Sequence, residues 1–266
     1  MPELPEVETI VRRLRPLLSN LRLRRIEPLW PRTLIGDPEQ VNAVASGRRI
    51  HDVFRRGKYI CIDLDGPRIT VHLRMSGRLV FDPRPESQPH IRARIHFMES
   101  RCLVLVDPRK FARIRMWRAQ EAFLPRLGPE PLRPETVRRA LDGLATCRAV
   151  KTALLDQHVL AGIGNIYADE ALFRARIHPR IPARELTIGQ RSRLSAAVPQ
   201  VLNAAIRRKG TTLNDYRDPD QRPGTFQQEL KVYGRTGQPC FTCGTPLVRI
   251  VVGQRGTHFC PKCQKA

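Results

Sequence analysis

Near the start of the chain the apolar positions Val7, Ile10, Val11, Leu14 and Leu18 recur at helical spacing, which predicts an amphipathic helix. Pro5 suits a first helical turn, and Glu6 and Glu8 place carboxylates at the positive end of the helix dipole. The pattern then changes. Residues 59–64, 70–75, 91–98, 102–106 and 113–117 read as short strands. The plainest lies in 91–98, where Ile91, Ala93, Ile95 and Phe97 alternate with Arg92, Arg94 and His96, giving one buried face and one basic face. Gly47, Gly57, Gly66, Gly77 and the turn Pro83-Arg84-Pro85 punctuate these runs, as expected of a sandwich or barrel. From about Pro134 the strands stop. Residues 137–144, 152–160, 166–175 and 186–209 read as helices, the last with Leu194, Val198, Val201, Leu202, Ala205 and Ile206 on one face. A polar stretch, 210–224, is expected as a mobile loop, and 247–252 with 257–259 as a hairpin. The fold class expected is α+β multidomain: an N-terminal β-sandwich over 1–130 with a short N-terminal helix, a helical domain over 131–225, and a β-hairpin ribbon over 226–266.

Charge narrows the partner. The 266 residues hold 47 Lys and Arg against 25 Asp and Glu, a net +22, which points to a polyanion and makes nucleic acid the default. A ribosomal protein would share that composition. Hydrophobic content of 41% is enough for proper cores. The chain has no long uncharged apolar run, and Arg12, Arg13, Arg15, Arg22, Arg24 and Arg25 crowd its beginning, against a signal peptide or membrane span. Of seven cysteines, Cys61, Cys102 and Cys147 stand alone and read as core thiols. An odd count with no secretion signal fits a reducing, cytoplasmic setting.

The other four carry chemistry. Cys240-x2-Cys243 and Cys260-x2-Cys263 have the spacing of a four-thiolate zinc ribbon, each two-residue spacer aiming both sulfurs at one ion. The alternative is a redox dithiol pair. A closed four-Cys site makes the zinc structural and puts the reaction elsewhere. Arg255 stands at the expected hairpin tip, suited to a phosphate or simply solvated. Gly162, Gly164 and Asn165 open a helix where backbone N–H groups form an anion site, unless the glycines serve helix packing alone. Three segments, 55–59, 72–77 and 107–111, combine cations with Tyr59, Met75 and Phe111 in turn, and Met75 and Phe111 are side chains able to wedge into a base stack or to lie in a core. Finally, removal of Met1 would leave Pro2 as a secondary amine beside Glu3, and neutral amines attack aldehyde-level carbons. Met-Pro-Glu is also an ordinary way to open a chain.

Pro2 to Glu8, Gly57-Lys58-Tyr59, His72 to Gly77, Asp107 to Phe111, Gly162 to Glu170, Phe226 to Glu229 and the ribbon together resemble, in order and spacing, the formamidopyrimidine-DNA glycosylase family over essentially the whole chain. The resemblance implies an N-terminal β-sandwich, a helix-two-turn-helix and a zinc finger. It also implies a bifunctional glycosylase and abasic-site lyase for oxidised purines such as 8-oxoguanine and formamidopyrimidines. Within it Pro2 is the nucleophile at C1′, Glu3 assists sugar ring opening, Lys58 donates a proton in β-elimination, and Arg255 serves δ-elimination and phosphate binding. His72, His90, Arg109, Lys151 and Asn165 match DNA-binding positions, and Met75, Arg109 and Phe111 the trio that fills the gap opposite a flipped base. Residues 214–225 match the segment that closes over the oxidised purine. Cys240, Cys243, Cys260 and Cys263 hold one structural Zn²⁺, and no other cofactor is implied. The partner implied is double-stranded DNA with oxidised bases or abasic sites, bound by a monomer without a membrane.

Two positions depart from the family pattern: Lys110 replaces an Arg and Ala112 a Gly, which bears on opposite-base preference. Endonuclease VIII, the oxidised-pyrimidine relative, typically has Gly where Leu4 stands. A non-catalytic damaged-DNA binder would need neither Pro2, Glu3 nor Lys58, and a zinc-ribbon RNA binder leaves Pro2 and the Met75 segment without a role.

Overall fold

The computed structural model describes residues 1–81, 89–124, 126–213 and 216–265, so the expected turn at Pro83–Pro85 and the loop residues Asn214 and Asp215 lie outside the described residues. The chain forms two compact units. One holds residues 1–125 and 208–225; the other holds 126–207 and 226–266. The backbone therefore passes between units three times.

The first unit opens with α1 (Leu4–Leu18), whose apolar stripe Leu4, Val7, Ile10, Val11, Leu14 and Leu18 is buried. A four-stranded sheet follows the order β1 (Leu23–Pro28), β7 (Ile91–Phe97), β8 (Cys102–Val106), β6 (Arg78–Phe81). A five-stranded sheet follows β2 (Leu34–Ile35), β9 (Arg113–Trp117), β5 (Arg68–His72), β4 (Tyr59–Asp63), β3 (Asp52–Arg56). Ile26, Ala93, Ile95, Leu103 and Leu105 from one sheet share a core with Val53, Ile60, Ile62, Ile69 and Val71 from the other. That is a sandwich, and each fully buried Leu or Ile stabilises it by about 1.5–3 kcal/mol relative to exposure. Ile91 does not join this core. A register shift between Ile91 and Ala93 turns it to the outer face, where it packs with Val80, Val104 and Val106. A short helix, α2 (Pro38–Ala45), starts where Asp37 accepts the Gln40 N–H at 3.2 Å.

In the second unit α3 (Pro134–Asp142) and α5 (Asn165–Ala175) pack on α6 (Ile188–Arg207), and α4 (Val150–Leu155) on α5. α4 stops at Leu155 instead of running to residue 160. Asp156 there turns its carboxylate onto the His158 N–H at 3.0 Å, and the Gln157 amide reaches the Gly162 N–H and the Ile163 carbonyl. These side-chain bonds compete with helical ones. The hairpin of β10 (Val248–Val252) and β11 (Arg255–Phe259) packs on α5. Cys61 is buried as expected, but Cys147 is exposed and is no core thiol. Among the described residues no helix is long and apolar enough to cross a membrane.

The stretch 210–224, which the sequence pattern reads as a mobile loop after the last helix, falls with 208–225 in the first unit, and described residues of it are fastened there. The Thr211 N–H donates to Glu6 Oε1 at 2.7 Å, the Tyr216 hydroxyl to the Glu6 carbonyl at 3.4 Å, and Arg13 pairs with Asp220 at 2.8 Å. Gly210 has φ +83°, and a Cβ there would lie 2.7 Å from Glu6 Oε1, so both conformation and space require glycine.

Candidate active site and nucleic-acid interface

In the first unit the N-terminus is built rather than trailing. Pro2 and Glu3 are buried beneath an exposed Met1. Glu3 caps α1, its N–H donating to Glu6 Oε2 at 2.8 Å while its own side chain takes the Glu6 N–H, a reciprocal pair that satisfies two orphan donors. Glu6 thus spends one oxygen on the residue after Pro2 and the other on Thr211. α1 lies against β3 and β4, and the buried Arg55 pairs with Glu8 at 2.9 Å to pin it there.

β3 and β4 are joined by the two-residue turn Gly57-Lys58, with Arg56 opposite Tyr59. Gly57 takes φ +56°, which the first central position of such a tight hairpin requires. The turn leaves Lys58 buried. Tyr59 faces His72 across the β4–β5 pairing, their rings edge to face at 4.7 Å. Burial, with the Arg74 and Lys58 charges beside it, pushes the His72 imidazole down to about 3. Its Nδ1 accepts the Arg74 N–H at 3.0 Å, so the neutral ring carries its proton on Nε2 and offers a donor.

The wedge candidates stand at the surface. Met75, in the turn after β5, is 44% exposed and Phe111 46% exposed; Arg109 is also exposed, its guanidinium 5.5 Å from the Phe111 ring centroid. The sequence pattern runs a strand to Met75, but β5 stops at His72, which frees Met75 from the core. Lys110 turns to φ +63° and lays its ammonium 4.2 Å from the Trp30 ring centroid. Ala112 fits where a glycine is usual because it faces Gly77, where a Cβ would come within 3.1 Å of the Ala112 Cβ. His90 is exposed, and its carbonyl accepts the Asp107 N–H at 3.0 Å.

In the second unit the four cysteine sulfurs lie within 4.8 Å of one another. Cys240–Cys263 and Cys243–Cys260 are 4.0 and 3.5 Å apart. Zn–S bonds of about 2.3 Å in a tetrahedron space sulfurs about 3.8 Å apart, so the cluster fits one structural zinc. The hairpin tip is Gly253-Gln254; Arg255 is not at the tip but is the first residue of β11, opposite Val252 and exposed.

Lys151 departs from a surface phosphate contact. Its side chain is 0% exposed, and its ammonium lies 2.6 Å from the equally buried Asp169 Oδ1. It donates to the Gly256 carbonyl at 2.9 Å and the Thr257 hydroxyl at 2.8 Å. Asp169 Oδ2 in turn accepts the His258 N–H at 2.9 Å. Asn165 also donates to the Gly256 carbonyl, at 3.0 Å. Lys151 and Asn165 therefore grip the residue next to Arg255, and Lys151 holds the hairpin from within. Glu170, whose carboxyl is pushed up by burial against three N–H donors, accepts from Lys231, Val232 and Tyr233 and anchors the approach to the ribbon. Sequence reasoning gave no role to Asp169 and Glu170, whose backbone partners lie 89 and 61–63 residues away; Asp107 was legible only as the start of a motif, although three of its four partners stand 2–5 residues on. Glu6 was legible, standing three residues after the Glu3 cap.

Residues 1–114 match the family model of the formamidopyrimidine-DNA glycosylase N-terminal domain, 127–217 that of the family's H2TH domain, and 237–266 that of a zinc finger found in FPG and IleRS. The formamidopyrimidine-DNA glycosylase of Symbiobacterium thermophilum is 45% identical over 99% of this chain and 89% of that protein. That of Thermus thermophilus is 46% identical over 99% and 98%. The crystal structure of MutM (Fpg) from Thermus thermophilus superposes with a TM-score of 0.88 at 45% identity, covering 99% of this chain and 98% of that one. Lactococcus lactis Fpg in complex with DNA containing an abasic site gives 0.89 at 33% identity, covering 99% and 100%. With three domain matches in order along its length and a zinc-fitting ribbon, this chain belongs to the formamidopyrimidine-DNA glycosylase family of DNA repair enzymes.

Proposed function

We propose that the protein removes oxidised purines from duplex DNA and then cleaves the resulting abasic site, with Pro2 as nucleophile once Met1 is removed. The observation that carries this reading is the built N-terminus. Pro2 and Glu3 are buried and fixed by the Glu3–Glu6 capping pair, and Glu6 also fastens Thr211 of the 208–225 segment. A free α-amine has a pKa of about 7.7–8.0, so a neutral fraction is available at pH 7.

In this scheme the Pro2 nitrogen forms a bond to C1′ as the C1′–N bond to the base breaks, the base leaving with the electron pair and taking up a proton. Glu3 delivers a proton to the sugar ring oxygen, the ring opens, and an iminium forms. Loss of a C2′ proton to the enamine expels the 3′ phosphate, with Lys58 transferring protons. A second elimination, assisted by Arg255, releases the 5′ phosphate. Water then hydrolyses the iminium and restores Pro2. Met75, Arg109 and Phe111 fill the space left by the extruded nucleotide, which costs a few kcal/mol to unstack. His72, His90, Asn165 and Arg255 meet phosphates. The described part of 214–225 covers the base, and Leu4 favours the purine over the pyrimidine specificity.

Borohydride trapping on an 8-oxoguanine:cytosine duplex tests the reading. Reduction of the iminium should leave a covalent protein–DNA adduct, formed more slowly in Pro2→Gly, whose primary amine remains, with duplex affinity nearly intact. Demonstrated binding without an adduct would overturn it, as would an N-terminal mass that retains Met1 in fully active protein.

A further inference from the structure

The wedge side chains come from different parts of the sandwich. Met75 follows β5 of the five-stranded sheet, whereas 107–112 is the connection that leaves β8 of the four-stranded sheet for β9. A single carboxylate joins them. Asp107 is 0% exposed. Its Oδ1 accepts the Ser76 hydroxyl at 2.5 Å and the Arg109 N–H at 3.1 Å; its Oδ2 accepts the Phe111 and Ala112 N–H groups, both at 2.7 Å. Arg92 Nε donates to the Asp107 carbonyl at 2.8 Å. Ala112 also faces Gly77, where a Cβ would lie 3.1 Å from the Ala112 Cβ and 2.5 Å from the Leu73 carbonyl oxygen.

We propose that Asp107 is the positioning residue that makes Met75, Arg109 and Phe111 one preset wedge, so that the three enter the base stack together. This rests on the gap-filling role given above. An ionised carboxylate only accepts, and all four groups facing it are donors. An amide of the same shape would turn its NH₂ against the Phe111 and Ala112 N–H groups in one orientation and against the Arg109 N–H in the other, where only the Ser76 hydroxyl could rotate to accept. The N–H groups of residues 109 and 111 fix the backbone from which two wedge side chains project, and Ser76 fixes the neighbour of the third. Ordering that would otherwise be required during base extrusion is completed on folding. Asp107 itself, buried, touches no DNA.

The test compares D107N and S76A with the full-length wild-type protein on two substrates. One is an 8-oxoguanine:cytosine duplex under single turnover; the other is a single-stranded oligonucleotide with an abasic site, where no opposite base is vacated and no wedge is needed. Loss of charge-assisted bonds at the node should slow duplex excision about tenfold in D107N and about threefold in S76A. Single-strand cleavage should stay within about twofold of wild type, since the lyase groups are untouched. Equal losses on both substrates would overturn the proposal, and so would unchanged duplex excision in both variants. Should D107N fail to fold, S76A decides by the same criteria. A double M75A/F111A variant run alongside separates the layers. If it slows duplex excision while D107N and S76A do not, only the positioning role of Asp107 falls; if wild type forms no borohydride adduct, the functional reading falls and this inference with it.

Discussion

Replacing Lys151 by Met removes a buried ammonium and leaves its partner charge in place. Asp169 would keep the His258 N–H but lose the cation 2.6 Å away, and the Gly256 carbonyl and Thr257 hydroxyl would lose a donor. Both side chains are 0% exposed, so water cannot compensate, and breaking such a pair from one side costs about 3–5 kcal/mol. For a unit of about 120 residues that corresponds to a fall in Tm of about 10–20 °C. Replacing both, K151M/D169L, strands no charge and should recover at least about 2 kcal/mol of the sum of the single losses. Calorimetry on the zinc-loaded protein, all four members of the cycle, measures this. Salt-dependent DNA binding on the same samples then reads the role of Lys151: the single variant should bind weakly and the double should regain affinity with its stability. A K151M protein as stable as wild type yet deficient in binding would refute the assignment and make Lys151 a phosphate contact.

Titration of His72 gives a second prediction. Its folded pKa of about 3 lies below the ordinary 6.5, so between those values the unfolded chain binds a proton that the folded one does not, and stability must rise with pH through that window. The upper bound is roughly 4–5 kcal/mol, and His72→Gln should flatten the free-protein stability profile between pH 3 and 6.5; an unchanged profile would refute the neutral, donor-bearing ring. Gly210→Ala drives a Cβ onto Glu6 at φ +83°, and about 1–3 kcal/mol of destabilisation should appear in denaturant titration. The same variant should slow adduct formation, and full-rate trapping would detach Glu6 from the placement of Pro2. Chelating zinc should melt the hairpin that carries Arg255, because binding energy and folding energy are one quantity in such ribbons; verified apo protein with unaltered DNA affinity would remove the ribbon from recognition.

Much of this was written locally in the chain. The alternation of Ala93, Ile95 and Phe97, the stripe along α1 and the paired Cys-x2-Cys spacings each declare their partners within a few residues. β1 did not: its buried residues Leu23 and Ile26 stand three apart because a bulge between Leu23 and Arg25 interrupts the two-residue period. α2 buries only Val41 and Ala45, too little for an apolar stripe, and its local signals were the cap Asp37 and Pro38 in the first turn. At the site, residue types that bear chemistry could be picked out, but what holds them could not. Asp169 and Glu170 look like any surface acid until the fold brings donors to them from distant segments, and Asp107 looks like a turn acid until Ser76 arrives from another sheet. Lys151 is the converse case, since nothing in its neighbours says that its charge is spent inside.

The three crossings of the backbone between units impose an order of events on synthesis. A ribosome that has finished the sandwich strands at Trp117 has not yet made segment 208–225. Glu6 waits for the Thr211 N–H, 205 residues downstream. At about 5–20 residues per second, the nascent N-terminus spends on the order of ten seconds or more without the partner that steadies it. Met1 stays exposed in the folded chain, so the removal proposed above does not depend on that interval. The return of the chain to the first unit then fastens Glu6 to Thr211 while Met1 remains accessible, so what the late segment adds is order at Glu3 and Glu6 and not protection of the chain's first residue.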